Sequence, residues 1–194
     1  MKNIILNSII SGFLIGTGCI INLSCGDNKV LGAFLFSLGL IVVIIQQRWL
    51  FTGKIGYLKN LEDAKNFTVC LIVNLFSIGL FTYGMKTLGQ LPIDASAICS
   101  AKVNEEWYEG LTRGIGCGML MFIGVDGYKR TKNMLVVVMP VMVFILCGFD
   151  HCIANYGYLT MENIWFTPQL VFWIIGNAIG SLIISKIGLS ETDH

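Results

Sequence analysis

The stretch Gly148-Phe149-Asp150-His151-Cys152-Ile153-Ala154-Asn155 decides how the rest of this chain is read, because an acid and a histidine stand inside an apolar run. The preceding residues 134–147 carry no charge at all. About 100 residues earlier a second apolar run ends the same way, in Gln46-Gln47-Arg48-Trp49-Leu50-Phe51-Thr52-Gly53. Both interruptions are too apolar on their flanks to be ordinary loops. Irregular backbone at membrane depth is tolerated only where protein buries it or where it lines a water-filled cavity. Its free N–H groups and half-helix ends favour anions. These two segments are therefore expected to be broken helices at the functional centre.

The composition agrees with a membrane setting. Of 194 residues, 55% are hydrophobic and only 13% charged, with a mean hydropathy of +0.73. Soluble domains carry roughly a quarter charged residues. These figures exclude a soluble enzyme, a disordered chain and a disulfide scaffold. A net charge of +1 lacks the basic footprint of a nucleic-acid binder. The seven cysteines are scattered without a C-x-x-C pair or a histidine at metal-ligand spacing, so they read as small packing groups. No cofactor motif is present, and no enzymatic chemistry is expected.

A spanning helix needs about 20 mostly apolar residues, and six such stretches occur, at 4–23, 30–51, 67–85, 107–125, 134–154 and 164–187. The first lacks a small-residue cleavage site and is read as a span rather than a signal peptide. With six spans both termini share a side, and that side holds Lys2, Lys54, Lys59, Lys65, Lys129, Arg130, Lys132 and Lys186. The other side holds Lys29, Lys86 and Lys102, with Asp94, Glu105, Glu106 and Glu109 in its long loop. The positive-inside rule places both termini in the cytoplasm of a multi-pass inner (plasma) membrane protein.

The expected architecture is a single all-α transmembrane domain over 1–194, built from two three-helix repeats at about 1–88 and 103–190. Spans three and six carry matching polar stretches, Asn74-Leu75-Phe76-Ser77-Ile78-Gly79 and Gly176-Asn177-Ala178-Ile179-Gly180-Ser181. Spans one and four open on glycines, Gly12, Gly16 and Gly18 against Gly110, Gly114, Gly116 and Gly118. Glycines of this kind let membrane helices pack closely. An odd number of spans per repeat inverts the second copy, the plan of many transporters, with helices 2 and 5 broken near the midplane.

Four ionisable residues fall in or beside the spans: Arg48, Arg113, Asp150 and His151. Charge at the bilayer centre costs a few kcal/mol even on mild scales, so such residues are functional candidates. His151 is the sharpest, since neutral imidazole both donates and accepts a proton. The arginines are expected to anchor helix ends or to pair with acids such as Asp150 or Glu109.

The same residues carry a family likeness. Gly148-Phe149-Asp150-His151-Cys152-Ile153-Ala154-Asn155 resembles the G-F-E-H-S-I-A-N signature of the formate/nitrite transporter family. Residues 32–40 followed by Leu50-Phe51-Thr52-Gly53 resemble its second span with the L-F-T motif, and Ile175-Gly176-Asn177-Ala178-Ile179-Gly180 its last. Lys102 stands sixteen residues before Gly118, the spacing of the family's vestibule lysine and span-four asparagine.

The resemblance implies an aquaporin-like fold, a homopentamer with one pore per protomer, and passage of small monovalent weak-acid anions such as formate, nitrite, hydrosulfide, acetate or lactate. It implies a central polar pair, Thr52 and His151. It also implies apolar constrictions from Phe36, Leu40, Leu50, Phe51 and Phe144, and an anion-drawing Lys102. Asn74 and Asn177, in the matching stretches of spans three and six, complete the candidate pore set. The chain departs from the pattern at Arg48 and Trp49, at Lys54 after the T-G, and at Gly118 in place of asparagine. Set against that pattern, the family's N-terminal cytoplasmic helix is expected to be missing and the connection at 156–163 to be shortened.

In the mechanism expected from these residues, Lys102 and the half-helix N-termini concentrate the anion. It then takes a proton from vestibule water or from His151 and crosses as the neutral acid, because a bare anion pays a large desolvation penalty at a dry constriction. Two other readings are a channel for an uncharged solute and a non-conducting membrane subunit plugged at Arg48-Trp49.

Overall fold

The computed structural model describes residues 2–190, so His194 lies outside the described part. Among the described residues the chain is all helical: α1 (Lys2–Ser24), α2 (Lys29–Ile45), α3 (Phe51–Lys54), α4 (Leu61–Thr87), α5 (Ser96–Val103), α6 (Trp107–Thr131), α7 (Leu135–Leu146), α8 (Cys152–Met161) and α9 (Gln169–Ser190). A 3-10 turn at Ile55–Tyr57 continues α3. By length and apolar composition three helices can cross a membrane on their own: Asn3–Ser24, Leu61–Thr87 and Gln169–Gly188. The helices Lys29–Ile45 and Leu135–Leu146 are apolar but shorter, because each stops at a break.

Local chemistry sets the helix ends. Asn28 caps α2 by accepting from the Leu31 amide, and Asn60 caps α4 by accepting from that of Asp63. Glu106 and Glu109 form a reciprocal capping box at the start of α6, whose last turn holds Lys129 and Arg130 against the helix dipole.

The two breaks share one device. After α2, Gln47 takes a left-handed conformation (φ 53°), its amide reaches the Ile44 carbonyl, and the Arg48 amide reaches that of Val43. After α7, Gly148 does the same (φ 68°), with the Gly148 amide on Ile145 and that of Phe149 on Phe144. Both are Schellman endings, which satisfy the last carbonyls of a helix stopped inside apolar surroundings. A side chain at the left-handed position costs about 1–2 kcal/mol. Gly148→Ala is expected to lower stability by about that amount, whereas Gln47→Gly leaves it unchanged or raised; thermal unfolding of the purified protein checks both.

The long helices pack through glycine. On α1, a Cβ at Gly12 would meet Ile78 and Asn74 of α4, and one at Gly16 would meet Phe81 and Thr82, so the two helices run parallel. Gly39 of α2 abuts Leu14 and Gly18 of α1 abuts Phe36, an antiparallel pairing. The second half repeats this with α6 and α9 parallel, Gly114 on Gly176 and Gly118 on Asn177, and with α7 antiparallel to α6. Polar side chains gather inside, where Ser8, Ser11, Asn74, Thr82, Thr160 and Ser181 are buried. Large apolar ones such as Leu38, Ile72, Phe76 and Val171 face outward. That inside-out distribution suits a lipid solvent.

Several boundaries differ from the sequence expectation. Helix resumes at Phe51 and Cys152, within the predicted interruptions rather than beyond them. Residues 156–161, expected in a shortened connection, belong to α8, because Tyr158, Leu159 and Met161 are buried against the core. The last helix begins at Gln169 instead of 164, following Pro168, and α5 occupies part of the expected long loop.

Candidate functional site at the helix breaks

Each broken helix is held by one asparagine near the middle of a long helix. Asn74 Oδ1 accepts from the Phe51 amide at 2.9 Å, while its Nδ2 donates to the carbonyls of Trp49 (3.0 Å) and of Ser8 in α1 (2.8 Å). Asn177 Oδ1 accepts from the Cys152 amide at 2.9 Å, and its Nδ2 donates to the carbonyls of Asp150 (2.6 Å) and of Gly114 in α6 (2.9 Å). In both, the side-chain amide meets the first N–H of the restarted helix, the carbonyl two residues earlier and a carbonyl of the neighbouring long helix. Both N–H donors of each amide are thereby used, so these residues position the breaks. Buried backbone groups without such partners would each cost roughly 1–3 kcal/mol.

The breaks meet in Thr52 and His151. Thr52 Oγ1 lies 2.9 Å from His151 Nε2, and the two residues are 0% and 1% exposed. His151 is also the N-cap of α8, its Nδ1 accepting from the Ala154 amide at 3.1 Å. An Nδ1 that accepts carries no hydrogen, so the ring proton sits on Nε2 and is donated to Thr52 Oγ1. The Thr52 hydroxyl hydrogen is then left as a donor. Of the first amides of α8, those of Cys152 and Ala154 are already engaged by Asn177 and His151.

Apolar rings flank the pair. Phe144 stacks on His151 with centroids 5.7 Å apart, and Phe36 meets Phe144 edge-on at 5.8 Å. Leu40 and Leu50 are 2% and 1% exposed and line a cavity of about 460 Å³, and Phe51 is buried beside Thr52.

Lys102, near the end of α5, forms an ion pair with Asp150 and donates to the Gly148 carbonyl at 2.9 Å. Its charge thus braces the second break. Asp150 Oδ1 also accepts from Asn155 at 2.7 Å, while Oδ2 is buried with no hydrogen-bond partner. Arg113 pairs with Glu105 at 2.9 Å and approaches Glu109 at 4.0 Å, in keeping with a helix-end anchor. Arg48 donates to Asn7 (2.6 Å) and Gln46 (3.0 Å) rather than to an acid. Gly118, where the family pattern has asparagine, lies against the backbone of Asn177, and a Cβ there would overlap its carbonyl oxygen. The α6–α9 contact excludes any larger residue at that position.

The family model described as formate/nitrite transporter matches residues 1–190. The formate channel FocA of Haemophilus influenzae is 28% identical over 170 residues, covering 76% of this chain and 59% of that protein; the chain thus spans about three-fifths of that relative's length. A solved "FNT family ion channel" superposes with a TM-score of 0.86 at 18% identity, covering 98% of this chain and 90% of the other. A "pentameric formate channel with formate bound" gives 0.72 at 24% identity, covering 96% and 93%. The fold is therefore that of these channels. A model match over nearly the whole chain, together with this fold and its apolar exterior, shows a membrane protein that belongs to the formate/nitrite transporter family.

Proposed function

We propose that this protein is a membrane channel or transporter that passes small monovalent weak-acid anions, with formate, nitrite and hydrosulfide as the candidate substrates. The observation that carries this reading is the buried Thr52–His151 hydrogen bond between two restarted helices, flanked by apolar rings. A bare anion entering that environment loses its hydration at a cost of many kcal/mol, whereas the neutral acid pays far less. The substrate therefore acquires a proton before or at the constrictions. A second proton on His151 would set an Nδ1–H against the Ala154 amide, so the ring serves as a neutral Nε2–H donor and vestibule water supplies the proton. The Thr52 hydroxyl donates to the passing solute, and Phe36 and Phe144 limit its size. Lys102 adds local positive potential on the way in, shared with Asp150.

The two halves form inverted three-helix repeats of an aquaporin-like domain. This is supported by the matching helix order and by Arg48, which ties the first break to Asn7 near the start of α1 while sharing a cavity with Lys129 and Lys132 at the end of α6. The protomers assemble as a homopentamer, a reading supported by the pentameric second structural relative, in an inner membrane with both termini cytoplasmic.

A flux panel of formate, nitrite, hydrosulfide and lactate into proteoliposomes at pH 7.5 and 6.5 tests the reading. Formate uptake is expected to rise several-fold, up to about tenfold, at the lower pH, following the protonated fraction. Uptake of a weak acid that ignores pH would overturn passage as the neutral acid. No flux of any of the four would overturn the channel itself.

A further inference from the structure

The cavity beside the first break, where Arg48 reaches Asn7 near the start of α1, is lined by Arg48, Lys54, Lys129 and Lys132 and contains Leu40 and Leu50 in its wall. Its volume is about 460 Å³, within the range of small-molecule sites. Among the described residues the ion pairs are Lys86–Glu162, Lys102–Asp150, Arg113 with Glu105 and Glu109, and Arg130–Asp126, and none includes these four cations. They rest on neutral groups instead. Arg48 is held by Asn7 and Gln46, Lys54 lies 5.3 Å from the Trp49 ring centroid, Lys129 3.6 Å from that of Tyr57, and Lys132 5.6 Å from that of Tyr128. The acid on the same stretch of α6, Asp126, is committed to Arg130 and to the Tyr57 hydroxyl.

Four cations around one cavity repel one another, and a passing monovalent anion cannot neutralise them. Arginine and lysine arranged this way suit phosphate oxygens, with arginine offering a fork of donors. The walls come from α2, α3 and α6, which belong to both halves, and include the fully buried Leu40 and Leu50. The charge thus gathers beside Leu40 and Leu50, which the channel reading places at a constriction. We propose that this cavity binds a soluble, multiply charged phosphate anion of the di- or triphosphate class, seated over Leu40 and Leu50 so that it closes the path. The closure rests on the channel reading above; the binding does not.

Isothermal titration calorimetry of inorganic tripolyphosphate into the purified protein tests the binding. Saturable binding is expected, much weaker for monophosphate. Lys54→Gln and Lys132→Gln should each weaken it about tenfold, the loss of roughly one charge-assisted hydrogen bond. Lys132 is exposed, so its variant keeps the test informative if Lys54→Gln folds poorly. Absence of binding, or wild-type affinity in both variants, overturns the site. Affinity that vanishes only when the protein sits in liposomes containing anionic phospholipid assigns the cavity to a lipid headgroup and overturns the soluble ligand. Tripolyphosphate on both faces should slow formate uptake in the wild type and less so in the variants. Unchanged wild-type uptake at saturating tripolyphosphate overturns the closure. If formate does not cross even without it, the channel reading fails while calorimetry still decides the site.

Discussion

Proteoliposomes carrying His151→Phe are expected to take up formate at least about tenfold more slowly than the wild type, with the oligomer intact. Phenylalanine keeps the ring stacked against Phe144 but removes both ring nitrogens. The Nε2–H bond to Thr52 is lost, and so is the only polar group that the second half contributes to the pair. Without the imidazole to orient it, the Thr52 hydroxyl no longer holds its donor on the solute, and a hydrogen bond to a charged or polarised solute is worth about 1.5–3 kcal/mol, roughly one to two orders of magnitude in rate. The variant also strips the cap from the Ala154 amide, at about 1 kcal/mol of stability. His151→Asn separates the two effects. Asparagine is a good N-cap and should recover the stability, but its shorter side chain cannot span to Thr52, so uptake should stay slow. Wild-type formate uptake by His151→Phe, measured beside a thermal melt that shows a folded protein, would remove His151 from the pathway.

The largest loss of stability is expected from Asn177→Leu and its counterpart Asn74→Leu, each at about 3–5 kcal/mol. Leucine matches asparagine in shape but removes the partner of three buried backbone groups, two of which lie at the break and are left unpaired, while the third keeps its bond within its own helix. For Asn177 these are the Cys152 amide and the carbonyls of Asp150 and Gly114; for Asn74 they are the Phe51 amide and the carbonyls of Trp49 and Ser8. Water cannot reach them cheaply in a membrane interior. The Asn177 variant should also lose uptake, because Asp150 and Cys152 flank His151 and the bracket sets the direction of the imidazole. Thermal or denaturant unfolding in detergent gives the answer. A loss below about 1 kcal/mol in both variants would mean that the breaks are held by something other than these amides.

Much of the site was legible because its signals are local. Asp150 and His151 inside an apolar run mark a break wherever the rest of the chain goes, and Gly148 marks the left-handed residue that ends α7. The first break lacks that cue, since Gln47 occupies the equivalent position. Its left-handed backbone was hidden in the sequence. Helix α5 is not legible in the sequence because eight residues between polar loops carry too weak a period. The continuation of α8 through Met161 was missed because its tyrosines and threonine read as a loop, although tertiary burial makes them core. Gly118 was recognised as a departure from the family pattern, but its cause, the Asn177 backbone pressed against it, lies on another helix.

The amino-acid sequence by itself determined that this chain belongs in a bilayer, where its two helices break, and which histidine stands at the second break. Hydropathy and turn chemistry act over a few residues, so they can be read in order. The tertiary structure alone decided how those residues are used. Thr52 and His151 are 99 positions apart, and only folding makes them partners. It also turned Asn74 and Asn177 into braces and committed Lys102 to Asp150. Arg48, Lys54, Lys129 and Lys132 likewise meet around one cavity only in the folded chain. In a medium without water buried backbone groups must find partners inside the protein, and which partners they find is set by helices that the chain brings together from both halves.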